Sequence, residues 1–173
     1  MKKRSKLFVF ILLLGVLFYF KDDIYNYTYS IMNTSNESYD IENLPEYDGN
    51  SYVIVNDNIP YFKEEEYTTT SFEKYSELDL LGRCGVASAN ISKDLMPTEK
   101  RGSIGMIKPS GWHTIKYDHI DGKYLYNRCH LIGYQLTGEN ANEKNLITCT
   151  RSMNTKGMLQ FENMVTKYIK DTG

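Results

Sequence analysis

Asn127-Arg128-Cys129-His130, followed at fixed intervals by Asn145, Asn154 and Glu162, organises the second half of this chain. The tetrapeptide closes a run from Tyr124 to Ile132 that reads as a strand entered from the turn pair Asp121-Gly122. Strand side chains alternate between faces, so Tyr124, Tyr126, Arg128, His130 and Ile132 share one side. Leu125, Cys129 and Leu131 share the other and read as core. The first face sets a permanent cation beside a titratable imidazole. An imidazole with an ordinary pKa of about 6.5 suits a general base at neutral pH. A planar guanidinium fork suits a phosphate oxygen.

Downstream, residues 133–144 form a loop rich in Gly, Asn and Glu, residues 145–150 a second strand, and residues 157–171 the strongest helix of the chain. Positions 154, 158, 162, 165 and 169 fall on one helical face and hold Asn, Met, Glu, Val and Ile. A carboxylate in such a stripe costs stability unless it is paired. Either a core Arg or Lys pairs with Glu162, or Glu162 faces a hydrated cation. Eight helical residues span about 12 Å, so Asn154 and Glu162 cannot both ligate one ion directly. A helix beginning late, at Gly157, would shorten that distance. His113 and His119 lack such company and read as decoration of a hairpin.

Upstream, residues 52–56 read as an edge strand, residues 71–81 as a weak helix with apolar residues at 72, 75, 78 and 81, and residues 83–89 as a strand. Residues 103–108 and 112–117 read as strands on either side of Pro109-Ser110-Gly111.

The order of these residues resembles the active-site pattern of the DNA/RNA non-specific endonucleases, the ββα-metal (His-Me finger) nucleases, over roughly residues 80–173. The resemblance implies an α+β fold: an antiparallel sheet with a ββα-metal core, preceded here by an N-terminal membrane or signal helix. It also implies Mg²⁺, with Mn²⁺ as a substitute, and a DNA substrate, with RNA as a second. His130 would take a proton from water, Arg128 would hold phosphate, Asn154 would ligate the metal, and Glu162 would order the metal's waters. An amide oxygen completed by water and phosphate suits hard Mg²⁺. Asn145 matches a further family Asn and is expected to touch substrate, with a turn-closing role as the alternative. Arg101 is a further candidate for phosphate, with a plain surface role as its alternative. The chain departs from the family signature at Asn127, where Asp is usual, and at Cys129, where Gly is usual. Both lie on the strand face opposite His130. A catalytically inactive extracellular binding or assembly module with a nuclease-like fold is the alternative to an enzyme.

The remaining sequence sets bounds. With 173 residues, 41% of them apolar, the chain has room for one domain plus a leader. The net charge of −2 hides a split. Residues 1–79 carry 7 Lys/Arg against 14 Asp/Glu, whereas residues 80–173 carry 13 against 8, so the motif lies in the basic half. Lys2, Lys3, Arg4 and Lys6 precede the apolar run Leu7 to Phe20, the layout of an export signal. Fourteen apolar residues are short for a membrane span, yet no small-residue cleavage site follows. Residues 1–23 are therefore a signal anchor or a signal peptide, residues 24–50 a polar tether, and residues 51–173 a nuclease domain on the extracellular face of the cell membrane, or secreted if the leader is cut. The Asn-x-Ser/Thr triplets at Asn26, Asn33 and Asn36 are of a kind expected by chance in such a composition. Gly173 suits a helix C-cap, and relatives continue with further strands, so the domain is expected to be C-terminally incomplete.

Cys84, Cys129 and Cys149 cannot all pair within one chain, and their spacing fits no metal site. In the resembled family Gly tends to stand at the place of Cys149, which implies Cys84–Cys129 if any pair forms. Three free thiols are the alternative.

Overall fold

The computed structural model describes residues 3–25 and 44–173. The chain divides into two units: residues 1–44 with 59–61, and residues 45–58 with 62–173. In the first unit α1 runs over Lys3–Tyr19, which takes in Lys3, Arg4, Lys6 and most of the apolar run. Its side chains from Val9 to Tyr19 are largely exposed. Among the described residues no helix is long and apolar enough to cross a membrane. Residues 26–43 of the expected tether, with their Asn-x-Ser/Thr triplets, lie outside the described residues.

The second unit holds two small antiparallel sheets. β1 (Phe72–Tyr75) pairs with β2 (Ala87–Asn90), Phe72 opposite Asn90 and Tyr75 opposite Ala87. β3 (Tyr126–His130) pairs with β4 (Leu146–Thr150), Tyr126 opposite Thr150 and His130 opposite Leu146. Between them comes a single helical turn, α2 (Tyr134–Thr137). After β4 the chain turns helical at Arg151, passes through a π turn over Met153–Met158, and continues as α3 (Leu159–Thr172). The order β3, β4, α3 is the strand, strand, helix order expected. The core lies where these elements meet: Cys129, Leu136, Leu146, Cys149 and Ile169 are its buried apolar members.

Several expectations are corrected. Residues 71–81 contain a strand and not a helix, because Phe72–Tyr75 finds a ladder partner in β2 that a three-residue apolar spacing cannot reveal. Residues 52–56 are irregular and lead into a 3₁₀ turn at Asn56–Asn58, where all three residues adopt positive φ. Residues 103–108 and 112–117 are not strands; a lone bridge joins Lys116 to Tyr124. The inward face of α3 carries Thr166 and Ile169, while Val165 points outward.

The cysteines pair as Cys129–Cys149, and not as Cys84–Cys129. Cys129 lies opposite Ile147, so Cys149 is its diagonal neighbour on the same face, with 5.9 Å between the Cα atoms. That separation is ordinary for a disulfide. Cys84 stays a thiol and donates to the carbonyls of Glu143 and Leu146, each at 3.3 Å.

Candidate active site

β3 delivers Arg128 and His130 to a cleft of about 270 Å³. The helix after β4 supplies Asn154, Thr155, Leu159 and Glu162 to the same cleft, and the loop before β3 supplies Arg101. The structure thus brings together five of the six residues singled out in the sequence: Arg101, Arg128, His130, Asn154 and Glu162.

His130 is 6% exposed, and its Nε2 lies 2.8 Å from the backbone carbonyl of Asn140. A carbonyl only accepts, so Nε2 carries the proton and Nδ1 keeps the lone pair. Burial pushes the imidazole pKa below its usual value and the Arg101 charge pushes the same way, against the Asn140 carbonyl. The neutral, basic form is therefore the resting form at neutral pH.

Arg128 lies on the cleft face but is also anchored. Its Nε donates to the carbonyl of Ile107 and its Nη2 to that of Gly105, at 3.0 Å for the latter. The guanidinium carbon stands 3.8 Å above the Trp112 ring. Both N–H groups on Nη1 remain for a ligand. The anchoring also explains why residues 103–108 form no strand: carbonyls that a ladder would use are turned to the guanidinium.

Glu162 is half-buried, and no Arg or Lys is bonded to it among the described residues. Burial raises its carboxyl pKa, and Arg101 only partly offsets that. Its carboxylate sits against Gly133, where an added Cβ would come within 2.8 Å of it. Glycine at 133 therefore makes room for the acid. Sequence reasoning missed Gly133, as it missed Asn140, which acts through its backbone.

The π turn decides how Asn154 and Glu162 relate. It takes one more residue per turn than an α-helix, with i to i+5 bonds such as Leu159 N–H to the Asn154 carbonyl. Eight residues then cover about the two turns that seven would in an α-helix, so both side chains reach the cleft. Gly157 is buried inside this turn and does not begin the helix.

Asn145 departs from the substrate contact expected of it. It is 0% exposed, its Oδ1 accepts from Ile132 N–H at 2.8 Å, and its Nδ2 donates to the Ile132 carbonyl at 2.9 Å. Its own carbonyl accepts from Leu131 N–H. The amide is spent on closing the loop behind His130, the turn-closing alternative. His113 and His119 stay outside the cleft. His113 Nδ1 donates to the Gly111 carbonyl at 2.7 Å, and His119 rests on Tyr117 with 5.4 Å between ring centres.

Among the described residues no group of three or more His, Cys, Asp or Glu could hold a metal. Beside the His130 imidazole the cleft's donors are the amide oxygens of Asn154 and Gln135, the hydroxyls of Tyr134 and Thr155, and the Glu162 carboxylate. That set is too poor in soft ligands for zinc and fits a hard divalent ion that keeps most of its waters.

The solved structure of NucA from Streptococcus agalactiae with magnesium ion bound is similar, with a TM-score of 0.52 at 20% identity, covering 61% of this chain and 53% of that one. NucA with no metal bound aligns with a TM-score of 0.49 at 21% identity, over 72% of this chain and 56% of that one. The chain thus spans about half the length of the protein it matches. No curated protein matches it. A family model described as DNA/RNA non-specific endonuclease matches residues 63–172, which contain both sheets, the π turn and every residue of the cleft. The chain belongs to the DNA/RNA non-specific endonuclease family.

Proposed function

We propose that the chain is an exported, metal-dependent endonuclease that hydrolyses phosphodiester bonds of DNA, and of RNA, with little sequence preference. The observation that carries this reading is the tautomer of His130: Nε2 is held on the Asn140 carbonyl, which leaves Nδ1 basic in the cleft that holds Arg128, Asn154 and Glu162. His130 Nδ1 accepts a proton from water, whose oxygen attacks the phosphorus as the 3′-oxygen leaves, giving a 5′-phosphate end. Arg128 Nη1 and Arg101 hold non-bridging phosphate oxygens and offset their charge. Asn154 Oδ1 would hold Mg²⁺, or Mn²⁺ in its place, and Glu162 accepts hydrogen bonds from water in the cleft. When bound there, the ion would supply Lewis-acid stabilisation of the phosphate and of the leaving oxygen. The magnesium seen in NucA supports this choice of ion. The basic cluster and apolar run at the N-terminus support export, with the leader kept as a membrane anchor.

Plasmid degradation with and without EDTA tests the activity. Cleavage in Mg²⁺ that EDTA abolishes is expected, and an intact plasmid with well-folded protein would leave a binding module as the better account. N-terminal sequencing and fractionation test the anchor, and a new terminus between residues 21 and 40 in soluble protein would overturn it.

A further inference from the structure

β3 is preceded, away from His130, by a hairpin that the catalytic reading does not use. Residues 115–117 pair with 123–125: Tyr117 N–H donates to the Lys123 carbonyl at 2.8 Å and Leu125 N–H to that of Ile115 at 3.0 Å. Arg151 N–H donates to the Leu125 carbonyl, so this edge runs on into the β3–β4 ladder. Within β3 alternation places Tyr126 on the same face as Arg128 and His130, and Tyr124 precedes it across a bend at Leu125. Lys116 bridges Tyr124 directly, and its Nζ stands 4.7 Å from the centre of that ring. Two cations laid on aromatic rings, Lys116 on Tyr124 before β3 and Arg128 on Trp112 within it, thus stand before and after Tyr126 along the chain.

The charges nearby sharpen the point. The hairpin's two acids are committed elsewhere, Asp118 to Lys123 and Asp121 to Arg151. Lys116 has no carboxylate partner among the described residues, and Tyr124 is 45% exposed. An exposed Tyr124 followed by the half-buried Tyr126 and Trp112, interleaved with cations that have no carboxylate partner among the described residues, suits a polymer that alternates flat bases with phosphates. A duplex buries its base faces, whereas a single strand presents them.

Resting on the nuclease reading, we infer that the surface running from Lys116 and Tyr124 past Tyr126 to Arg128 and Trp112 is a track for single-stranded nucleic acid, with a base stacked on Tyr124 at most about 20 Å from His130, at roughly 3.3 Å per residue. The track favours single-stranded or locally opened substrate over intact duplex.

Fluorescence anisotropy in EDTA, with a fluorescein-labelled single-stranded oligodeoxynucleotide and the matching duplex, tests this without any turnover. Tyr124→Ala is expected to weaken single-strand binding by roughly five-fold or more while leaving the duplex nearly unchanged, and Tyr124→Phe to bind like the wild type. Lys116→Gln is expected to flatten the log–log salt dependence for the single strand by about 0.7. Unchanged single-strand affinity in a normally melting Tyr124→Ala, or an equal loss on both probes, overturns the track. Should Tyr124→Ala fail to fold, an unaltered salt slope in Lys116→Gln overturns it instead. Plasmid turnover by the wild type, run in parallel, separates the two readings. No cleavage overturns the nuclease reading alone, and cleavage with unaltered binding in the variants overturns the track alone.

Discussion

Holding His130 by one nitrogen makes its chemistry sensitive to pH in a definite direction. Its pKa lies below the ordinary value because of burial first and Arg101 second. Hydrolysis is therefore expected to be level above about pH 6.5 and to fall only as the pH drops toward the lowered value. Stability follows the same sign: the unfolded chain binds this proton more readily, so the contribution from His130 is present above about pH 6.5 and is lost as the pH falls through the folded value. His130→Ala is expected to lose about 100-fold or more in kcat, the range for a general base. Plasmid turnover checks it, and near wild-type rates would remove His130 as the base. Glu162 behaves oppositely, since burial raises its pKa, so that its ionised form costs more in the folded chain than in the unfolded one. Glu162→Gln should lower kcat by less than His130→Ala while raising Tm by up to a few degrees, an outcome a purely structural acid would not give. The places of His130 and Glu162 in the cleft were legible in sequence because each is a titratable group in the wrong place for a core. Asn140 was not, because its part is played by a backbone carbonyl that only the returning loop aims. Asn145 was named for its residue type, yet its buried amide bonds only the backbone of Ile132.

Among the elements, β3, β4 and α3 were legible because each has a local pattern, alternation or a helical stripe, that long-range packing does not override. Of the segments from 52 to 117 only the strand expected at 83–89 was, in part, as β2. Phe72–Tyr75 becomes a strand only through β2, and residues 103–108 give carbonyls to Arg128 in place of a ladder. The disulfide depends on the β3–β4 register, which places Cys149 diagonal to Cys129 beside His130. Closing a 20-residue separation should stabilise the fold by about 2–4 kcal/mol. Cys149→Ser or a reductant is therefore expected to lower Tm by several degrees, as calorimetry would read, and an unshifted melt would show the bond to be idle. Gly133 offers a cleaner dissection of α3 from its neighbours. An alanine there meets the far end of the Glu162 side chain, not backbone, and φ at this position is an ordinary −58°. Gly133→Ala should melt nearly normally yet lose activity as the carboxylate is displaced. Equal turnover with an unchanged melt would detach Glu162 from the chemistry.

At the scale of the molecule, charge is distributed by halves: 14 acids against 7 bases over residues 1–79, and 13 bases against 8 acids over 80–173. The family match begins at residue 63, so the basic half carries most of the matched domain. A polyanion bound there releases counterions in proportion to the phosphates neutralised, with a log–log slope of about −0.9 per phosphate on duplex DNA. Arg101 and Arg128 are the cleft's two cations, so they alone predict a slope near −2. Substrate capture should therefore weaken steeply with salt while kcat at saturation holds. Replacing Arg101 by Ala should raise KM and reduce the magnitude of the slope by about 1. It should also relieve the positive field on His130 and let its pKa rise, moving the acid limb of the pH profile upward. Measuring kcat/KM against salt and pH for the wild type and Arg101→Ala separates the two roles. A slope and a pH limb that both stay put would mean that Arg101 borders the cleft without touching the phosphate or the base.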